Sequence, residues 1–354
     1  MEASHEFLKG RGAQINPTNP FLKQELDNAA QEGIDEPLTM RIETEIRLEH
    51  AKKIINKVPS PDIPLDFSIN PYQGCEHGCA YCYARNTHHY WGYSAGVDFE
   101  RKIIVKKNAA ELLAAEFEKK SWNPAPIMFS GNTDCYQPLE RKLGITRKCL
   151  EVFKLYRNPV GIITKNHLVL RDLDILEVLA QENLVHVFVS ITTINPKLRS
   201  AMEPRTSTIS KRWEVIEACA RKNIPVGVMI GPIIPGLNNH ELPEIMETAA
   251  QRGAGSIGYS TVRLNGAVGE IFENWIRIHF PERAEKVLNQ IKSMHGGTLN
   301  DSEFGRRMRG EGKLAESISH LYKLLKERYF AGRSLPAYNL TAFRKPGDSQ
   351  LSLF

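Results

Sequence analysis

Three cysteines stand in one short stretch, Cys75-Glu76-His77-Gly78-Cys79-Ala80-Tyr81-Cys82-Tyr83. Separated by three residues and then by two, they gather enough thiolate to hold three irons of a cubane [4Fe–4S] cluster and one too few to close it. Structural clusters and structural zinc sites fill all their positions from the protein. A triad with no nearby fourth ligand leaves one metal open, and an open coordination position is where chemistry occurs. Gly74 and Gly78 suit a loop wrapped closely around a bulky group, because glycine reaches backbone angles that other residues avoid. The same residues also allow a zinc knuckle with His77, His88 or His89 as fourth ligand. Such knuckles usually pair two short ligand couples, and no second couple follows here.

The elements that must carry this loop alternate in type. Apolar strand-like runs occur at Phe67-Ser68-Ile69-Asn70, then at residues 127–129, 160–163, 186–191, 225–230 and 256–262. Between them, residues 109–119, 144–157, 172–181, 211–222 and 241–252 carry apolar side chains at helical spacing, such as Leu113 with Phe117 and Leu150 with Phe153. Strands alternating with helices predict a parallel sheet with right-handed crossovers. Six such units are too few for a closed eight-stranded barrel, so the expected fold is α/β, a partial (β/α)6 TIM-type barrel. Ligands in such sheets sit at the C-terminal strand ends, which is where the cysteine loop falls.

The expected organisation is an irregular N-terminal extension (1–60), a core (61–265), a helical C-terminal region (266–330) and a flexible tail (331–354). A mixed-charge helix is expected within 39–57. The 354 residues are 42% hydrophobic and 25% charged, as in a soluble globular protein. A net charge of +5 permits a nucleic-acid partner without demanding one. There is no apolar run of the ~20 residues that a membrane helix needs, and Met-Glu-Ala-Ser-His-Glu lacks the pattern of a signal peptide. Clustered cysteines argue for a reducing compartment. No membrane association and a cytoplasmic location are therefore expected.

The Cys75/Cys79/Cys82 spacing, with an aromatic before the last cysteine, resembles the signature of the radical S-adenosylmethionine (SAM) superfamily. That resemblance implies a [4Fe–4S] cluster on the three cysteines, SAM on its open iron, a 5′-deoxyadenosyl radical and a separate reductant. It covers roughly residues 60–265. Ser130-Gly131-Asn132-Thr133-Asp134, at the second strand end, resembles the element that holds the SAM amino group, with Thr133 and Asp134 closest to the spore photoproduct lyase branch. By the same likeness Lys165 and Arg205 are candidates for the SAM carboxylate. Ser190 and Thr192 are candidates for the ribose, and residues 227–238 for packing on adenine. Tyr81 and Tyr83 flank Cys82 as tyrosines implicated in radical relay do in that branch, and Tyr81 also borders the cofactor. The branch's hydrogen-donating cysteine falls on Gly131. Cys135, four residues on, is either a substitute or an ordinary loop cysteine.

Other stretches have two readings. His88-His89-Tyr90-Trp91-Gly92-Tyr93 either stacks a nucleobase or caps the barrel mouth. Residues 296–312 interleave Arg306, Arg307 and Arg309 with glycines, as suits phosphate contact or a solvated loop. Cys149 and Cys219 read as core thiols. Gln350-Leu351-Ser352-Leu353-Phe354 resembles the bacterial sliding-clamp-binding motif, presenting apolar anchors from a short segment. These features together predict a lyase-like radical SAM enzyme acting on DNA. The rivals are the same chemistry on RNA or protein, and a non-enzymatic metal-bearing adaptor recruited to the clamp.

Overall fold

A computed structural model describes residues 7–21, 44–63 and 65–346. Its strands are β1 (Glu45–Glu49), β2 (Ile55–Lys57), β3 (Phe67–Ile69), β4 (Tyr72–Gln73), β5 (Lys102–Lys106), β6 (Ile127–Phe129), β7 (Val160–Thr164), β8 (Val185–Ser190), β9 (Val226–Ile233) and β10 (Ser256–Thr261). Seven form one sheet in the order β10-β9-β8-β7-β6-β3-β2. The six from β3 to β10 are parallel and only β2, on β3, is antiparallel. This is the expected six-strand α/β arrangement of a partial barrel. Because Phe129 is level with Ile162 and Thr164 with Val189, the C-terminal strand ends share one rim.

The helices are α1 (Val97–Arg101), α2 (Ala109–Glu118), α3 (Glu140–Leu143), α4 (Ile145–Tyr156), α5 (Leu173–Gln181), α6 (Pro196–Met202), α7 (Ile209–Arg221), α8 (Leu242–Gln251), α9 (Ala267–His279), α10 (Pro281–Met294) and α11 (Gly312–Phe330). Those linking the parallel strands bury residues at helical spacing, Leu113 and Phe117 on α2 and Cys149, Leu150 and Phe153 on α4. They meet Phe129, Ile162, Val187 and Val228 in the main core. The aliphatic strand runs are buried nearly throughout, as in parallel sheets covered by helices. A second core joins Phe272, Trp275 and Ile276 of α9 and Val287 and Ile291 of α10 to Cys79, Ala80 and Tyr81. The C-terminal helices thus support the cysteine loop directly.

Two expectations fail. The helix expected within 39–57 is replaced, over the described part, by β1 and β2. In Glu45-Ile46-Arg47-Leu48-Glu49 apolar and charged residues alternate with period two, and β5 supplies a parallel ladder for them. The other concerns residues 331–346, expected to be flexible, which lie along the N-terminal strand ends. Pro336 carbonyl oxygen bonds His186 Nε2 at 2.9 Å, and Tyr338 stacks on His186 at 4.0 Å. Asn339 N donates to Asn183 O at 3.1 Å and Arg344 N to Tyr156 O at 3.0 Å. Phe343 packs on Phe117 and Tyr156. The spacings of Leu335, Tyr338 and Phe343, three and then five residues, follow no single helical or strand period, so the sequence reads as tail. The Gln350–Phe354 motif lies outside the described residues.

Replacing Tyr338 with alanine removes the His186 stack and should lower stability by roughly 1–3 kcal/mol. A shifted urea midpoint at unchanged slope would show it.

Candidate functional site

The cysteine loop is shaped by backbone bonds and close approach. Cys75 N donates to Phe99 O (2.8 Å), Ala80 N to Met202 O (3.0 Å) and Cys82 N to Cys79 O (3.3 Å). Gly74, at φ +79°, would place a Cβ 2.9 Å from Phe99 O, and Gly78, at φ +68°, one 2.8 Å from Glu100 Oε2. Neither position admits a side chain. Arg85 Nε donates to Cys79 O at 3.0 Å, and its Nη2 pairs with Glu100 at 2.6 Å. The buried Glu100 carboxylate also accepts from Gly12 N (3.2 Å) and Ala13 N (2.8 Å). Part of the irregular N-terminal stretch therefore braces the loop.

Cys75 and Cys79 are buried and Cys82 is half-buried. Desolvation raises the thiols of Cys75 and Cys79, with the neighbouring acidic groups adding to it. His77 has both ring nitrogens engaged, Nδ1 with Asp134 Oδ2 at 3.4 Å and Nε2 with Asn166 Nδ2 at 3.2 Å. Burial holds it below its ordinary value. His88 is fully buried against Phe99 and Tyr93, and burial lowers it to about 4. Of the neighbouring aromatics, Tyr90 is exposed and stacks on Phe21 at 5.4 Å. Among the described residues, no three His, Cys, Asp or Glu side chains converge on one metal ion.

The strand-end residues gather on the rim around this loop. Asp134 ties β6 to β7, accepting from Thr164 Oγ1 (2.8 and 3.0 Å) and Lys165 N (2.8 Å). Asn132 N and Thr133 N both donate to Asn70 Oδ1, and the Thr133 hydroxyl is buried without a partner. Ser130 has φ 74°, an unusual backbone state for a non-glycine residue. Gly131 abuts Ser68 and takes a hydrogen bond on its carbonyl from the Tyr83 hydroxyl. Lys165 Nζ lies 5.9 Å from the Tyr81 ring centroid. Burial opposes its charge, but Cys79 and Glu203 outweigh burial and hold it above the ordinary lysine value.

Glu203 was not among the residues singled out from sequence. Its carboxylate is fully buried and accepts from Tyr81, from Thr192 Oγ1 (2.7 Å) and from Arg212 Nη2 (2.5 Å). Desolvation would raise Glu203, but Arg212 and Lys165 prevail and bring it to about 2. Arg212 also donates to Ser190 O at 3.0 Å. Thr192 is thus occupied with Glu203 rather than open to a ligand. Arg205 pairs with Glu76 of the loop at 3.1 Å. Beside that pair a cavity of about 370 Å³ is lined by Arg141, Asn166, Arg205 and Ser207.

Cys135 departs furthest from expectation. It has no exposed surface, packs in the main core, and donates its backbone N–H to Ser130 Oγ at 2.9 Å. Its thiol is fully buried among the core side chains.

The radical SAM superfamily profile matches residues 69–249, just over half of the chain. The protein belongs to this superfamily and is a radical SAM enzyme, which excludes the non-enzymatic adaptor. An uncharacterized Mycobacterium tuberculosis protein is 31% identical over 234 residues, covering 65% of this chain and 69% of that one. Another, from Methanocaldococcus jannaschii, is 28% identical over 251 residues, covering 71% and 90%. In fold the chain is similar to a spore photoproduct lyase mutant with bound AdoMet and dinucleoside spore photoproduct. That match has a TM-score of 0.59 and 14% identity, covering 83% of this chain and 82% of the other.

The superfamily uses a [4Fe–4S] cluster and SAM. The donor set fits: soft thiols on a pinned loop, with an unpartnered buried hydroxyl at Thr133 and a cation at Lys165 on the same rim. Among the described residues no helix is long and apolar enough to cross a membrane.

Glu203→Gln should cost about 3–5 kcal/mol by leaving Arg212 buried and unpaired. Glu203 titrates near 2 when folded, against an ordinary 4.5. Its contribution is complete above about 4.5 and is lost as pH falls toward 2. Unfolding midpoints across that window should drop more steeply in the wild type than in Glu203→Gln.

Proposed function

We propose that this radical SAM enzyme acts on nucleic acid, as a lyase that reverses or cleaves a DNA lesion. The observation that carries the reading is the arrangement around Cys82. Tyr81 is held to the buried Glu203 carboxylate, while Tyr83 remains 46% exposed on the rim beside Gly131. The fold likeness to a lyase with bound dinucleoside photoproduct supports the same substrate class.

In this reading Cys75, Cys79 and Cys82 hold the cluster. When bound, the reduced cluster and SAM together supply a 5′-deoxyadenosyl radical. The chain's own part is binding and placement. Lys165 offers its ammonium to the SAM carboxylate, and the Thr133 hydroxyl, with the Gly131 and Asn132 backbone, offers polar contacts to the amino group. Ser190 is the better ribose candidate, since Thr192 is committed to Glu203. Asp134 and Arg205 act as positioning residues, because one spans β6 and β7 and the other steadies Glu76. Tyr83, not Cys135, is the relay candidate with access to substrate. The division into extension, barrel core, helical region and tail is retained with one change, that residues 331–346 belong with the core.

The finer partner reading is a sliding clamp bound through Gln350, Leu351, Ser352, Leu353 and Phe354, supported by sequence alone. Reduction requires an external donor protein or small reductant.

The test is anaerobic reconstitution, reduction and addition of UV-irradiated DNA, following 5′-deoxyadenosine and loss of lesion. Wild type should form both products, and the Cys75/Cys79/Cys82→Ser triple variant neither. Deoxyadenosine without lesion conversion on any DNA would overturn the substrate reading and leave the chemistry intact. Lys165→Met should weaken SAM binding at least 10-fold by equilibrium dialysis, about 1.4 kcal/mol or more. Deleting Gln350–Phe354 should abolish retention on purified clamp while deoxyadenosine formation continues.

A further inference from the structure

The segment that follows α10 carries Arg306, Arg307 and Arg309, and Arg263 stands just beyond β10; the structure sorts these four arginines into two kinds. Arg306 is neutralised locally by Asp301, Glu303 and Glu311. Arg307 pairs with Asp62 at 2.5 Å and bonds Ser60 Oγ at 2.6 Å. By contrast, neither Arg263 nor Arg309 forms an ion pair or a guanidinium hydrogen bond among the described residues. Arg263 lies 6.0 Å from the Tyr83 ring centroid, and Arg309 lies 3.9 Å over Tyr259.

This stretch is not a loosely solvated loop. Thr261 N, at the end of β10, donates to Met308 O at 3.0 Å. Gly305 N donates to Asp62 Oδ1 at 2.6 Å. Asp62 lies between β2 and β3, so the segment runs from one edge of the seven-stranded sheet to the connection at the other edge. It straps the open side of the partial barrel. Phe304 stands 53% exposed on this strap, with the Arg307 guanidinium stacked 4.3 Å over its ring. Tyr83, beside the third loop cysteine, is also exposed. Two guanidinium groups without an ion pair, Arg263 beside the exposed Tyr83 and Arg309 on the same strap as the exposed Phe304, match the two needs of an unpaired polynucleotide, phosphate neutralisation and base stacking.

We propose that the 303–310 strap and Arg263 form a strand-binding subsite in which Arg263 and Arg309 contact substrate phosphates and Phe304 stacks a base. The subsite guides a single-stranded or locally unstacked stretch toward Tyr83. It rests on the nucleic-acid reading and narrows that reading from a lone nucleotide to a polynucleotide.

The test is fluorescence anisotropy of a labelled single-stranded oligothymidylate of about 12 nucleotides, titrated across salt concentration. In Arg263→Gln and in Arg309→Gln, the slope of log affinity against log salt should fall in magnitude by about 0.7 each. Arg263→Lys and Arg309→Lys should restore it, which a folding defect would not do. Lys326→Gln, on an exposed part of α11 roughly 20 Å along the helix from the strap, should leave the slope unchanged. Phe304→Ala should weaken binding about 5- to 100-fold with the slope unchanged. Equal slopes in wild type and both Gln variants would overturn the subsite while leaving a nucleic-acid substrate standing. No binding by the wild type would overturn the nucleic-acid reading itself.

Discussion

Everything on the rim depends on one buried carboxylate. Glu203 has no contact with solvent, and a lone charge there would be costly to desolvate. It is tolerated because Arg212, Thr192 and Tyr81 converge on it, with Lys165 adding positive charge nearby. These four come from α7, the end of β8, the cysteine loop and the end of β7. One ion thereby fixes the distances among the parts of the barrel that must meet a cofactor. It also explains why Tyr81 sits between two cysteines. Its hydroxyl ties the loop down onto the strand ends through Glu203.

A second carboxylate, Glu100, does the same on the outer side. Arg85, Gly12 and Ala13 meet there, and Gly78 passes so closely that no β-carbon fits. The loop is held between two buried acids, one on the strand side and one on the N-terminal side. Such double anchoring suits a loop that must present three thiols in fixed relative positions. Glycine at 74 and 78 is required by neighbouring backbone and carboxylate, and not by a bound group alone.

The barrel was legible because its strands are short buried aliphatic runs and its helices bury one face, two periods that sequence shows directly. The cysteine loop was legible from spacing. Glu203 and Arg212 were not, since an acid in Glu203-Pro204-Arg205 and a base within α7 look like solvated charges until the fold brings them together. The burial of Cys135 is hidden in sequence, because a polar loop stretch does not show the turn that drives its thiol inward. The alternation in β1 spans five residues, too few to separate the strand period from the helical one. Asp134 reads from sequence as a contact to the SAM amino group, whereas in the fold its oxygens face Thr164, Lys165 N and His77. Only the folded register reveals that.

The segment 331–346 has a consequence for how the molecule is made. It crosses beneath strands that lie far earlier in the chain, touching Tyr156, Asn183 and His186. During synthesis these strands leave the ribosome well before the residues that cover them. The lower end of the nascent barrel therefore stays uncapped until residues 331–346 emerge, an interval in which collapsed intermediates are prone to wrong association. Loop closures of this length are slow compared with local helix formation. Final sealing of the barrel is then a late event, set by the arrival of a short strap and not by formation of the sheet.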